Sequence, residues 1–324
     1  MKTVFDAEVD AALIDRSLAA TTLGSVWLDT ERPEHPPAAG PTTCDLLVVG
    51  GGYTGLWSAL HAARRHPDRR IVLIEADRIG WAASGRNGGF VDASLTHGYE
   101  NGKSRWPNEI DALEHMGMEN LDGMQAEIDE LGLQVDWQRT GMLTVATEPH
   151  QVEWLEEAAG QGQGRALDEA QVRAEVDSPT YLAGLFSPDT CAIVDPAKLA
   201  LELARACVEA GVDVHEHTTA RQLISGGAAL RVHTDGPVIT CRQVVLATNV
   251  FPSLLRRNRF HTVPVYDYVL ATEPLSEAQL DRIGWRNRVD GREMREFGIK
   301  GCAQGGQRIE RKLVAEHIGQ CPQD

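Results

Sequence analysis

The sequence predicts an α/β fold with buried strands of the parallel type, and three stretches carry that prediction. Residues 45–89 read DLLVVGGGYTGLWSALHAARRHPDRRIVLIEADRIGWAASGRNGG. A short apolar strand, a glycine turn, a helix and a second apolar strand follow one another there without a break. Asp195-Pro196 then opens a helix that Gly211 ends, and residues 212–216 follow it as a strand. Residues 244–248, VVLAT, form another buried, apolar run of the parallel type.

Each residue type in the first stretch has a task. Asp45 to Val49 is the strand, and Gly50-Gly51-Gly52-Tyr53-Thr54-Gly55 fits G-x-G-x-x-G. Thr54 to Arg65 reads as a helix with Leu56, Leu60 and Ala63 on one face, and Ile71 to Ile74 as the next strand. Gly50 makes the tight turn, Gly52 lets a pyrophosphate approach the backbone, and Gly55 lets helix and strand pack closely. The helix N-terminus offers free N–H groups and a positive dipole end to phosphates. Glu75, 25 residues after Gly50, is placed to accept hydrogen bonds from ribose hydroxyls. Glycine turns alone are common. Strand, turn, helix, strand and acid in this order within about 30 residues are what a dinucleotide fingerprint requires. Candidate cofactor contacts are Gly50, Gly52, Tyr53, Thr54, Gly55, Glu75 and the adjoining Ala76.

A second glycine-rich segment runs from Gly80 to Gly89. Ser84, Arg86 and Asn87 supply hydrogen-bond donors there, and Gly85, Gly88 and Gly89 allow close backbone approach; the plainer reading is a polar loop. This ASGRNGG stretch resembles the second flavin-contacting loop of the FAD-dependent D-amino-acid oxidase superfamily, which includes glycine oxidase, sarcosine oxidase and gamma-glutamylputrescine oxidase. It looks most like the gamma-glutamylputrescine oxidase and glycine oxidase branch. The resemblance implies a Rossmann-like, discontinuous FAD-binding domain of the GR2 type, with an inserted mixed or antiparallel β-sheet substrate domain. It implies adenine contact near Thr219 and Ala220, and a turn beside the cofactor at Ala247-Thr248-Asn249. There Asn249 replaces the usual glycine and tolerates positive φ better than most residues. It also implies non-covalent FAD, because Arg86 and Asn87 stand where relatives with covalent flavin carry a histidine.

Composition bounds the rest. The chain has 324 residues, enough for two domains, and no apolar run approaches the roughly 18 residues of a membrane span. A formal charge of −16, from 47 acids and 31 bases, disfavours nucleic acid and anionic membrane. It suits a cationic substrate, although a merely soluble acidic protein is the plainer account. The six cysteines Cys44, Cys191, Cys207, Cys241, Cys302 and Cys321 form no C-x-x-C, which argues for a reducing cytoplasm and against a zinc site or disulfide framework. The first 25 residues lack a basic start followed by an apolar core, so no signal peptide is expected.

Along the chain, residues 1–43 form an arm with a helix over Ala7 to Leu18, a Pro-rich connector over Arg32 to Pro37, and Trp27 as its anchor. Tyr99 and Lys103 have the Y-x-x-x-K spacing of short-chain dehydrogenases, but Asn101 and Gly102 argue against the helix that motif needs. Residues 107–131 repeat apolar positions at steps of three and four, predicting a long helix capped by Gly132. Residues 141–146 read as a strand, 150–159 and 168–176 as helices, and 185–194 as short strands. His215 and His217 lie two apart on a predicted strand, hence on one face. A metal pair there lacks a third ligand nearby, so surface or structural histidines are the preferred reading. Leu223 to Cys241 reads as a meander with turns at Ser225-Gly226-Gly227 and Asp235-Gly236-Pro237. Residues 264–272, PVYDYVLAT, read as a substrate-domain strand with Tyr266 and Tyr268 on one face. Those rings are the catalytic candidates and could frame a cationic amine; an ordinary sheet tyrosine pair fits equally well.

The expected division is therefore an arm over 1–43 and an FAD-binding domain from 44–104 and 195–255. A substrate domain with its associated helices takes 105–194 and 256–288, and an atypical tail takes 289–324. The resemblance covers residues 25 to 288. Beyond Arg288 the chain has neither strand alternation nor the family's closing glycine-rich segment, which suggests a shifted reading frame or a truncation. The expected function is FAD-dependent oxidation of the C–N bond of an amine or amino acid, with a gamma-glutamylputrescine-like amine among the candidates and O2 or another compound as electron acceptor. The alternatives are a truncated, non-catalytic FAD-binding remnant and a nicotinamide-dependent dehydrogenase; the 80–89 loop and the late VVLATN strand argue against the latter.

Overall fold

The computed structural model describes residues 10–22, 24–28, 31–227, 229–258, 260–262 and 275–284. In chain order its first elements are α1 (Ala11–Leu18), β1 (Thr42–Val49), α2 (Tyr53–Arg65), β2 (Ile71–Ile74), β3 (Phe90–Asp92), α3 (Tyr99–Arg105), α4 (Ile110–Leu131), β4 (Gln138–Arg139) and β5 (Met142–Ala146). Then come α5 (Pro149–Gly160), β6 (Arg165–Leu167), α6 (Glu169–Glu175), β7 (Ala183–Ser187), β8 (Cys191–Ile193) and α7 (Pro196–Glu209). The last are β9 (Asp213–His215), β10 (Ala220–Gly226), β11 (Ala229–Thr234), β12 (Val238–Leu246) and α8 (Glu277–Ile283). The described residues fall into two units, drawn from Ser25–Arg139 with Thr190–Val269 and from Met1–Gly24, Thr140–Asp189 and Leu270–Asp324.

The larger unit is built on a six-stranded sheet of order β10-β11-β12-β1-β2-β9. Strands β12, β1, β2 and β9 run parallel, and β10 and β11 close the other edge as an antiparallel meander. Residues 46–49 of β1 and all of β2 are apolar, as strands covered on both faces require. Val48 and Leu73 point to the face packed by Leu56, Leu60, Leu199 and Leu203 of α2 and α7. Leu47, Val49, Val72 and Ile74 point the other way, toward Val232 and Ile239. Leu47, Leu56, Leu60 and Leu203 are completely enclosed, each worth about 1.5–3 kcal/mol of burial. Asp195 caps α7 by accepting from the N–H groups of Ala197 and Lys198 at 2.9 and 3.0 Å. Cys44 faces Cys241 across the β1–β12 pair, and both thiols are buried. A small antiparallel sheet, β3-β8-β4, completes the unit, and Gly132 caps α4 in the left-handed region at φ 59°.

The smaller unit contains the antiparallel sheet β5-β7-β6, packed through Leu167, Val172 and Phe186. Asp168 and Ser276 cap α6 and α8 with reciprocal side-chain bonds from Gln171 and Gln279.

Three expectations need correction. Residues 99–105 are helical although Asn101 and Gly102 disfavour it; Asn101 Nδ2 donates to Thr96 O at 2.5 Å, and Gly102 lies against Thr96 and Ile110, where a Cβ would not fit. Tertiary contact outweighs propensity. Residues 244–248 are not a separate buried strand. Residues 244–246 end the nine-residue β12, which pairs antiparallel with β11 over 238–241 and parallel with β1 from Ile239 to Leu246, and these three residues are half-buried; Ala247 and Thr248 lie beyond the strand. His217 is not on the strand of His215; it lies past the strand's end at φ 49°, so the two do not share a face. Tyr266 and Tyr268, the strand predicted over 264–272 and the tail over 289–324 lie outside the described residues.

Candidate functional site

Strand β1 has parallel partners on both sides, β12 and β2, so the turn at its C-terminal end opens where such sheets hold ligands. Gly50 has φ 115°, and a Cβ on it would stand 2.5 Å from the carbonyl oxygen of Ala247. A Cβ on Gly55 would overlap the carbonyl oxygen of Gly50, which is why α2 can pack so close to the strand it follows. Gly52 differs. Its φ of −88° and ψ of −178° suit any residue, so only space restricts it, and the first atom a Cβ would meet is Ser84 Oγ at 2.8 Å. The N–H of Tyr53 donates to that same Oγ at 3.1 Å, and the first intrahelical bond runs from Leu56 N–H to Gly52 O at 2.9 Å. The N–H groups of Thr54 and Gly55 therefore have no partner within the helix, and Thr54 is exposed. The phenol of Tyr53 turns away and donates to Pro196 O at 2.8 Å, and burial pushes its pKa up.

Glu75 follows β2 and is buried. One carboxylate oxygen accepts from Gly51 N–H at 2.6 Å; the other accepts from Asp77 N–H and Trp81 Nε1, both at 3.0 Å. The carboxylate thus clasps the glycine turn while keeping lone-pair capacity for a further donor. Ala76 beside it is exposed. On the adjoining strand end, Thr218 N–H donates to Glu75 O at 2.8 Å and His217 N–H to Asp77 O at 2.9 Å, which brings residues 216–219, and Ala220 at the start of β10, alongside.

The loop of residues 80–89 stands on the other side. Its Asn87 Nδ2 donates to the carbonyls of Ala83 and Ser84 at 3.1 and 2.9 Å, and its Oδ1 accepts from Gly89 N–H at 2.9 Å. Arg86 is exposed; its Nε donates to Trp81 O at 2.5 Å and its guanidinium lies 5.8 Å from the centre of the Trp81 ring. Side chains on Gly85 and Gly89 would overlap the carbonyl oxygens of Gly80 and Val194, and one on Gly88 would stand 3.1 Å from the Phe90 ring. After β12, Ala247 N–H donates to Val49 O at 2.8 Å, Phe251 N–H donates to Thr248 O at 3.0 Å, and Asn249 has φ 45°. The Trp81 and Phe251 rings are 5.6 Å apart. The turn at 50–55, the loop at 80–89 and the turn at 247–251 are thus brought together.

This cradle suits a dinucleotide. Its glycines leave room that a Cβ would fill, two backbone N–H groups open a helix of 13 residues, and the acid sits at the end of the second strand. Sequence reasoning missed Glu216, which is 1% exposed. Its carboxylate accepts from the N–H groups of His35 at 2.9 Å and Ile79 at 2.6 Å. A glutamate between two histidines gives no sequence signal of burial.

Residues 45–301 match the family model described as FAD dependent oxidoreductase, DAO, a match that runs past Arg288. The chain is 34% identical over 248 residues to a gamma-glutamylputrescine oxidoreductase of Escherichia coli K12, covering 72% of this chain and 56% of that protein. It is 27% identical over 267 residues to a probable oxidoreductase OrdL of Haemophilus influenzae, covering 77% and 60%. It thus spans somewhat over half the length of these relatives. Among solved structures, glycine oxidase from Geobacillus kaustophilus superposes with a TM-score of 0.56 at 20% identity, over 65% of this chain and 56% of that one. An L-amino acid deaminase from Proteus myxofaciens gives 0.54 at 21%, over 69% and 49%. The likeness to both is one of fold. With its glycine cradle, its discontinuous sheet and most of its length matched by one model, the chain belongs to the DAO family of FAD dependent oxidoreductases.

Proposed function

We propose that the chain holds FAD non-covalently in the cradle formed by residues 50–55, 75–76, 84–89, 220 and 247–249, and that the protein oxidises the C–N bond of an amine or amino acid. When bound, FAD supplies the redox chemistry, accepting a hydride from the substrate carbon and passing electrons on to O2 or another acceptor. The chain's own part is binding and orientation. Thr54 and Gly55 N–H groups receive the pyrophosphate; the backbone of 84–89 and 247–249 borders the flavin; residues 218–220 border the adenine. Glu75 holds the turn and keeps capacity for a ribose hydroxyl. In this reading 44–104 and 195–255 form the FAD-binding domain and 105–194 with 256–288 the substrate domain, where Tyr266 and Tyr268 frame the amine. The observation that carries the proposal is the close approach of Gly50, Ser84 and Ala247 around the N-terminus of α2. The 34% identity to gamma-glutamylputrescine oxidoreductase makes that amine the first substrate to try. Among the described residues no helix is long and apolar enough to cross a membrane.

The test is a visible spectrum of the purified protein, then acid precipitation, then an oxygen-electrode screen of amines, polyamines and amino acids. A flavin band, FAD released to the supernatant and amine-dependent oxygen uptake are expected. Colourless protein after FAD loading would overturn the cofactor assignment. Bound flavin without turnover on any amine would favour the remnant reading.

A further inference from the structure

The residues upstream of the family match, which begins at residue 45, are tied to both sides of the glycine cradle. Trp27 is 8% exposed, and its indole N–H donates to Asn87 O at 2.9 Å. Leu28 packs beside Gly85, where a Cβ would stand 3.0 Å from its methyl carbon. Further on, the arm crosses the loop after β2. Arg32 Nη1 donates to Ile79 O at 3.4 Å, Glu34 pairs with Arg78 at 3.1 Å, Pro36 O lies 3.0 Å from His215 Nδ1, and Ala38 N–H donates to Thr218 Oγ1 at 3.0 Å. Glu216 sits between arm and loop, its carboxylate shared by His35 N–H and Ile79 N–H.

Both ties lead into the phosphate turn. The side chain of Ile79 lies against Gly51, so closely that an added Cβ would come within 2.6 Å of its Cδ1. At the other end Asn87 binds the carbonyl of Ser84, whose hydroxyl accepts Tyr53 N–H. Burying a carboxylate is costly unless its lone pairs are satisfied, and Glu216 spends that burial on linking arm to loop. We infer that Trp27 and residues 31–38 form a clamp on the cofactor cradle. Glu216 is its positioning residue, setting the turn at 50–55 through Ile79. The inference rests on the FAD reading above. Because coupling is reciprocal, FAD must then tighten the arm as much as the arm tightens FAD.

The experiment uses the full chain with Glu216→Gln and Trp27→Phe. The first puts an amide N–H2 against a backbone donor; the second removes the indole N–H together with part of the buried ring. FAD dissociation constants, apoprotein melting midpoints and amide exchange at His35 and Ala38 with and without FAD are measured. Each variant is expected to weaken FAD about tenfold. Trp27→Phe should lower the apoprotein midpoint modestly, as loss of buried ring volume requires, while its FAD dissociation constant, measured well below that midpoint, still rises about tenfold. FAD should slow exchange at both amides about tenfold in the parent. If Glu216→Gln does not fold, Trp27→Phe and the exchange data decide. Unchanged FAD affinity in the variants, or exchange indifferent to FAD in a parent that binds it, overturns the clamp and leaves the FAD assignment standing. A parent that binds no FAD removes both.

Discussion

In the turn at 50–55 the groups left over for a ligand are backbone N–H groups, because four positions carry no side chain and Tyr53 points its phenol at Pro196. The loop at 80–89 has the side chains that look suited to a ligand, yet Asn87 spends its amide on Ala83, Ser84 and Gly89, and Ser84 spends its hydroxyl on Tyr53. The first stretch is a surface made by omission of side chains. The second is a scaffold whose polar side chains hold its own backbone in shape, so that in the proposed FAD reading it too would offer main chain. Polar residues in a glycine-rich loop therefore need not be ligand contacts.

Substitutions can break this contrast. Gly55→Val should have the largest effect, at least about 3 kcal/mol of stability with loss of FAD binding, because its Cβ meets a backbone carbonyl that cannot move aside; a normal urea midpoint would refute this. Gly52→Ala should weaken FAD by disturbing Ser84, and the double variant Gly52→Ala/Ser84→Ala should recover part of the loss, since its backbone angles are permissive. No recovery in an FAD titration would mean that the space at Gly52 belongs to the cofactor alone. Glu75→Ala and Asn87→Ala should each destabilise the apoprotein by about 1–3 kcal/mol, before any cofactor is added, because each orphans loop donors or carbonyls. Chemical denaturation of the flavin-free forms checks this, and an effect confined to FAD affinity would make them ligand contacts instead.

The smallest effect concerns Cys207, whose thiol burial pushes up to about 12 from an ordinary 9.0. The folded pKa is raised, so this contribution to stability is fully present below pH 9.0 and is lost as pH rises toward 12. Native Cys207 should accordingly resist iodoacetamide at pH 8 and react once denaturant is added.

Much of the cradle was legible in the sequence. Gly50 and Gly55 are required by backbone geometry that a strand–turn–helix unit always imposes, and the apolar strands declare burial on both faces. Gly52 was legible as a position without a side chain but not in its reason, since Ser84 is 32 residues away in sequence. Glu216 and the partners of Asn87 were not legible, because hydrogen bonds between distant or irregular segments leave no periodic trace. The unity of β12 was hidden by Arg242 and Gln243, exposed polar residues that look like a break but lie where the strand leaves its antiparallel partner β11 while its parallel pairing with β1 continues.

The pairing of β1 with β12 also sets an order of events in folding. Val49 pairs with Ile74 on one side and with Leu246 on the other. The first contact closes within a short loop; the second waits for nearly two hundred further residues. At synthesis rates of about 5–20 residues per second, β1 waits roughly 10–40 s for its second neighbour. Throughout that interval Leu46 to Val49 present an open, apolar strand edge, the kind of surface that recruits other chains. Non-local closure of this kind is slow in itself. Expression yield should therefore depend on temperature and chaperone supply through this one edge, more than on the finished protein's stability.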